Sequence, residues 1–488
     1  MANLKKNFMY QSMYQILTMI LPLVTSPILS AALGAEGVGI YTYVTTIESY
    51  FVLVANLGIY KYGTREIAKV QSNREAVSRF FREIWILHAL LSIAVGFLYI
   101  FYIVMAGEYL LFFSISFLGY IASAANLGWL FAGMEDFRKI TIRDAAVKVA
   151  AFFLIIILVK DETDLAAYFW LMSICSLLAV SFYWVLYREY IDKVKVDVRG
   201  ICRHFRGMLV LFIPLLLESL FNSMDKVMLG VFCSKAEVGY YGNAEKALIC
   251  KRLIYSLSIV LLPKMSYLIS MKNREEYDRL MKQSVGLIIL LSSVFGLGTA
   301  AVAKEFSEVF WGADFAACAD LIIIMSAAIP GTMAANTIRE QYLIASGNER
   351  KYLFAAGTGT LVNLVLNLLL IPRYGAVGAA IATLASEYTV CIVQIIVVRK
   401  DIPIVSYLRG NGIYLLFGIV MFAVVRWSAG RMSGGVAALL AEIALGGCVF
   451  VMMCVIYWLA AGQYYYLRLM RKYGKKVLQW FSRKSGGQ

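Results

Sequence analysis

Charge is scarce in this chain of 488 residues: 16% are Asp, Glu, Lys or Arg, while 61% are hydrophobic. Soluble proteins carry about 25% charged and about 45–50% apolar residues, so a soluble enzyme or a string of globular domains is excluded. Histidine is scarcer still, with two copies: His88 in an apolar run and His204 in a basic stretch expected to be a loop. With no Asp-x-Asp and no Walker sequence either, there is no motif for a metal- or His-centred reaction and none for ATP. The eight cysteines show no metal-ligand or CxxC spacing, and most lie inside apolar runs, where a thiol acts as a small hydrophobe. No catalytic residue, metal or cofactor is expected.

What is present is a series of apolar runs about 20 residues long, enough for a helix to cross a hydrocarbon core of about 30 Å. Fourteen spans are expected: 8–32, 38–60, 83–106, 109–132, 144–159, 165–187, 207–232, 237–262, 284–303, 317–345, 353–371, 376–398, 412–427 and 436–461. The fold class is therefore all-α, a polytopic membrane protein. Pro22 and Pro27 interrupt the first run, which is too long for a signal peptide and is read as a retained membrane helix.

The excess of 46 Lys and Arg over 31 Asp and Glu would suggest nucleic acid in a soluble protein. Here the cations collect in the connections on one side of the membrane. That side holds both termini and 34 Lys and Arg, the opposite side five. Such asymmetry places both termini in the cytoplasm and makes nucleic acid an unneeded partner. The longest connections, near 61–82, 188–206 and 263–283, are basic. The tail from Leu467 to Lys484 mixes Trp480 and Phe481 with cations, a composition suited to lying on anionic lipid.

A short repeat divides the chain. Val38-Gly39-Ile40-Tyr41 opens the second expected span, and Val238-Gly239-Tyr240-Tyr241 opens the eighth. Six spans per unit is an even number, so the units share an orientation, as in transporters built from parallel repeats. The expected organisation is two pseudo-symmetric six-helix lobes, residues 1–206 and 207–400, with residues 401–488 adding two helices and the basic tail. Pro22 and Pro27 in the first helix of one lobe, and Pro214 in that of the other, remove backbone hydrogen bonds and favour bends.

Ionised groups in mid-bilayer cost about 2.5–3.5 kcal/mol each on insertion scales, so those far from span ends need a reason. Arg339 and Glu340 lie near a span end and are read as boundary residues. The deep set concentrates in spans seven and eight. Glu218, Asn222 and Asp225 recur at i, i+4 and i+7 on one helix face, with Lys226 beside them, and span eight adds Asn243, Glu245, Lys246, Lys251 and Arg252. Such faces line a wet cavity or pair with each other; a solvated cavity is the favoured expectation. Glu48 in span two is a deep carboxylate, and Glu387 in span twelve is another, without a sequence-local partner. With Asp225 they are candidates for binding a coupling ion.

Four segments carry a resemblance. They are Leu57-Gly58-Ile59-Tyr60-Lys61-Tyr62-Gly63-Thr64-Arg65-Glu66, Asp225-Lys226-Val227-Met228-Leu229-Gly230, Val238-Gly239-Tyr240-Tyr241-Gly242-Asn243-Ala244-Glu245-Lys246 and Pro372-Arg373-Tyr374-Gly375-Ala376-Val377-Gly378. The chain resembles the bacterial polysaccharide-repeat-unit (Wzx-like) flippases, in the superfamily that also holds multidrug exporters and oligosaccharide-lipid exporters. The resemblance implies alternating access across the bacterial inner membrane, moving an oligosaccharide on a polyprenyl diphosphate for capsule, exopolysaccharide or a related envelope polymer. A polysaccharide polymerase is a candidate partner beside the membrane lipids. Lys226, Lys246, Lys251 and Arg252, with Asn222 and Asn243, become the expected headgroup ligands, and Lys61 and Arg65 would meet it at the cytoplasmic mouth. Two sister readings stay open: a cation-coupled multidrug exporter and a lipid-linked peptidoglycan-precursor flippase.

Overall fold

A computed structural model of the chain describes residues 2–195, 198–431 and 434–462, with side chains from Gln15 onward except at 198 and 199. The basic tail from Leu467 to Lys484, expected to lie on lipid, falls outside the described residues. In hydrocarbon a backbone amide finds no water, so each apolar run closes its own hydrogen bonds as a helix. Every regular element among the described residues is helical.

The first half runs α1 (Ala2–Asn56), α2 (Ile59–Val70), α3 (Arg74–Ala106), α4 (Leu110–Ala124), α5 (Gly128–Gly133), α6 (Phe137–Leu158) and α7 (Leu165–Leu186). The second begins with α8 (Val198–Phe232), α9 (Lys235–Ala247), α10 (Cys250–Val260), α11 (Leu262–Ser270) and α12 (Arg274–Ala301). It continues with α13 (Ala303–Trp311), α14 (Cys318–Ala327), α15 (Ile329–Ile338), a π-helical turn over Arg339–Ile344, and α16 (Glu349–Val398). Last come α17 (Ile404–Asn411), α18 (Ile413–Ala429) and α19 (Val436–Ala460), of which α18 packs on both α12 and α19.

Among the described residues, eleven helical stretches are long and apolar enough to cross a membrane, against the fourteen spans read from the sequence. Two of the eleven cover two expected spans each, because α1 and α16 pass through breaks at Gly34 (φ 62°) and Gly375 (φ 54°). Only glycine adopts that left-handed geometry without strain. At the second break Glu237 accepts a hydrogen bond from the Ala376 N–H at 2.7 Å, satisfying one donor of the restarting helix. The expected fifth span, α6, is not among the eleven. Arg138, Lys139, Arg143, Asp144 and Lys148 crowd its first half and shorten its apolar part.

The basic connections differ from the expected loops. Residues 61–82 hold most of α2 and the start of α3, and 263–283 hold most of α11 and the start of α12. Amphipathic periodicity explains this, since α2 buries Ile59, Tyr62, Gly63 and Ile67 along one face. His204, expected in a loop, is on α8 and buried, 2.8 Å from Glu83 Oε2 and 3.0 Å from the Tyr62 hydroxyl.

Three apolar clusters hold the helices together. One draws on both halves, joining residues such as Leu33 and Val44 to Leu229, Val238 and Cys318 around the Gly34 and Gly375 turns. The second uses only residues 57–212, including Ile67, Phe81, Trp129 and Met208. The third uses only residues 265–458, including Met265, Met281, Leu343 and Tyr414. The halves thus share a core at the end opposite the basic segments, and at the basic end the start of α8 packs on the first half through Met208 and Phe212.

Candidate functional site

Pro214 lies inside α8, and the turns after it carry Glu218 and Asn222 into a cavity of about 240 Å³. The opposite walls come from α10, with Lys251, Arg252 and Tyr255, from the end of α15 and its π-helical extension, and from α16. Arg252 is exposed to this space, and among the described residues it makes no ion pair. Lys251 Nζ is 3.5 Å from Glu387 Oε1, so these two charges largely compensate each other. Arg339 also lines the cavity; it contacts Glu340 at 3.0 Å and donates to the Tyr255 hydroxyl at 2.7 Å. Tyr255 in turn donates to Glu340 at 2.8 Å.

Three cations and two carboxylates, Glu218 and Glu387, therefore face one cavity. With Lys251 held by Glu387 and Arg339 by Glu340, Arg252 is the cation most available to an anionic ligand. A guanidinium offers five donors in a planar fork that matches phosphate oxygens, which an ammonium does not. The chemistry on offer is binding of an anionic group in a wet chamber. Among the described residues, no group of three or more His, Cys, Asp and Glu is close enough to hold a metal ion.

The remaining sequence-derived candidates do not gather there. Asp225, one helical turn beyond Asn222, turns away from the cavity toward α9 and α16. There it is buried and accepts hydrogen bonds from Tyr241 (2.6 Å), Thr383 (2.7 Å) and Asn367 (2.5 Å). Asn367 also donates to Asn363 at 3.0 Å. Lys226 pairs with Glu245 at 2.6 Å. Lys246 donates to Asn243 Oδ1 at 2.8 Å within a network that reaches Ser26 and Ser30 of α1 and the Trp311 indole. That network ties the two halves together at their shared end. Glu48 accepts a short hydrogen bond from Ser116 and lies against Gly119 of α4, inside the first half. Lys61 and Arg65 are exposed on α2, away from the cavity, with Arg65 2.9 Å from Glu66 and over the Tyr62 ring.

Several cavity residues escaped the sequence reading, Arg339 and Tyr255 among them. Arg339 was assigned to a span end, whereas the π-helical turn that starts at this residue adds a residue per turn and sets it in the cavity wall. Tyr255 follows Arg252 by three positions, a spacing that places both on one helix face. That spacing was the one available signal.

Comparison with known proteins gives a consistent picture. The family described as polysaccharide biosynthesis protein matches residues 4–269, and the lipid II flippase MurJ family matches residues 146–460. A putative O-antigen transporter of Escherichia coli (strain K12) is 24% identical over 412 residues, which cover 82% of this chain and 97% of the relative. A structure of lipid II flippase MurJ in an inward closed conformation superimposes with a TM-score of 0.71 at 18% identity, covering 93% of this chain and 99% of that one. An inward-facing multidrug resistance transporter of the MATE family, in the MOP superfamily, gives 0.62 at 15% identity, covering 80% and 95%. At these identities the two structures speak for the fold.

Proposed function

The chain belongs to the polysaccharide biosynthesis protein family, and over residues 146–460 to the lipid II flippase MurJ family; from this premise we propose that it flips polyprenyl-diphosphate-linked oligosaccharides across the bacterial inner membrane. Capsule, exopolysaccharide or a related envelope polymer is the destination, and both termini lie in the cytoplasm. The observation that carries the proposal is the cavity that Arg252 enters unpaired, between lipid-crossing helices, where a bare cation has no reason to persist except to meet an anionic ligand. Arg252 contacts the diphosphate first, Lys251 and Arg339 add charge once their carboxylate partners yield, and Asn222 supplies a neutral donor. Lys226, Lys246 and Asn243 meet the headgroup later in the cycle, and Lys61 and Arg65 meet it earlier, at the mouth.

Movement follows from the way the apolar clusters divide. Residues 1–206 and 207–400 act as two lobes, with 401–488 as an appendage; one apolar cluster draws on both lobes, and another lies wholly within residues 265–458. Alternating access then requires the shared contacts to part while the basic ends close. A headgroup drives that exchange only through different affinities for the two states. Asp225, Glu387 and Glu48 are the candidates for a coupling ion.

A second reading, flipping of a lipid-linked peptidoglycan precursor, is favoured by the match over residues 146–460. Both cargos present a polyprenyl diphosphate, so the same cavity serves either. The test is reconstitution of the full chain in liposomes, with flipping of each cargo measured as protection from an external glycosidase. Transport of the oligosaccharide lipid that is lost in Arg252→Ala supports the proposal. Transport of the peptidoglycan precursor alone favours the second reading, and transport of neither cargo rejects both.

A further inference from the structure

The charged cavity occupies one flank of α8. On the adjoining flank, where Leu215 and Ser219 point, lies a separate pocket of about 280 Å³. Its walls belong to the first half: the end of α1, the start of α2, α4, the break between α4 and α5, and α5 itself. The polar lining is Ser49, Asn56, Ser123, Asn126, Trp129 and Ser219, and Tyr60 is the single ionisable side chain in it.

The amides are held in place. Asn56 donates to Ser123 Oγ at 3.2 Å, and its Oδ1 lies 3.0 Å from His88 Nε2. Asn126 accepts from the Gly128 N–H at 2.7 Å, yet the residue is exposed to the pocket. Trp129 is 1% exposed, and among the described residues its indole N–H has no hydrogen-bond partner. Buried donors are almost always satisfied, so this N–H, on a residue of the pocket wall, is a donor still open to a water or a ligand hydroxyl. The ring is fixed by Phe81, stacked at 5.5 Å between centroids, and by Gly63, where a Cβ would press on the indole edge.

Fixed amides, hydroxyls and two aromatic rings, without a Lys or Arg, suit a ligand that both donates and accepts while carrying no charge. Sugar hydroxyls do so, and the C–H face of a pyranose packs against an exposed aromatic ring, here that of Tyr60. A diphosphate would find no counter-charge here. We infer that this pocket is a carbohydrate subsite, taking an uncharged sugar of the cargo while the cations across α8 take its diphosphate. This rests on the flippase reading above. The cargo then straddles α8, and a site built from groups that hydrogen-bond a hydroxyl discriminates strongly against a cargo that lacks it.

Binding to the purified full chain in nanodiscs tests this, using bare polyprenyl diphosphate and a panel of polyprenyl diphosphates carrying neutral hexose or N-acetylhexosamine disaccharides. Wild type is expected to bind at least one glycosylated member about tenfold more tightly than the bare lipid. Asn126→Ala, at an exposed position, and Trp129→Phe, which keeps the ring but deletes the N–H, are each expected to cut that advantage threefold or more. Neither is expected to change binding of the bare lipid, whereas Arg252→Ala weakens both. The inference is overturned if no panel member outbinds the bare lipid, or if the two variants weaken bare and glycosylated lipids equally. Absence of binding to every probe overturns the flippase reading itself.

Discussion

Gly39 and Gly239 face each other where α1 crosses α9: a Cβ on Gly39 would collide with the Lys235 carbonyl, and one on Gly239 with the Ala35 carbonyl. They occupy the same place in the two copies of the repeated tetrapeptide. The repeat is therefore a contact as well as a register mark, since each copy offers its glycine to the other's helix. Small residues let helix backbones approach this closely. Replacing either with alanine forces the helices apart at the shared end. Gly39→Ala and Gly239→Ala should each cost about 1–3 kcal/mol, as overpacking does, read as a lower melting temperature in detergent. Both should also leave cysteines placed near the Gly34 turn more accessible to a reagent added outside. Unchanged melting and labelling would mean that this crossing is not a closed contact.

Arg252 and Lys226 should behave differently. Arg252→Ala removes the cavity's unpaired cation and is expected to reduce flipping at least tenfold without affecting membrane insertion. Arg252→Lys should restore only part of the activity, because the planar fork is lost. Lys226→Ala should abolish export too, partly by leaving Glu245 without its partner at 2.6 Å. Adding Glu245→Gln to Lys226→Ala separates the two effects. Recovery of transport in the double variant would assign Lys226 to an ion pair, and continued loss would assign it to the cargo.

Asp225 accepts three hydrogen bonds from α9 and both arms of α16. Asp225→Asn exchanges one acceptor for a donor facing Tyr241, Thr383 and Asn367. Hydrogen bonds to a charged group contribute about 1.5–3 kcal/mol each, so a clear drop in stability is expected. If Asp225 binds a coupling ion, this variant should also flatten the dependence of transport on sodium and proton gradients. Gradient dependence equal to wild type would remove Asp225 from the coupling candidates and leave Glu387 and Glu48.

At the basic end, the hydrogen bond from Lys351 holds the Asp401 carboxyl below the usual carboxylate range. A carboxyl whose folded-state value is depressed adds stability above its unfolded value, near pH 4, and loses it as pH falls through the folded value. Both partners are over a third exposed, so the contribution is under about 1 kcal/mol. Asp401→Asn should therefore melt slightly earlier than wild type at pH 7, with the gap closing below pH 4. A gap that persists in acid would place the effect elsewhere.

The length and spacing of the apolar runs made the helical membrane class legible, because lipid leaves the backbone no other way to satisfy its hydrogen bonds. Gly34 and Gly375 fell between expected spans for a comparable reason, since a sharp turn between two runs favours the residue that reaches positive φ freely. The site was only partly legible. Periodicity put Glu218, Asn222 and Asp225 on one face, yet a face spans neighbours of different kinds, and Asp225 meets α16 where Asn222 meets the cavity.

Sequence by itself determined that the chain is helical and rich in runs apolar enough to cross a membrane, because that follows from local composition and helical period. Tertiary structure alone decided which deep charges share a chamber. Lys251 finds Glu387, Arg339 finds Tyr255 and Lys246 reaches Ser26 across separations of more than 80 residues. A charge in hydrocarbon must have company, but its own helix does not say from where that company comes.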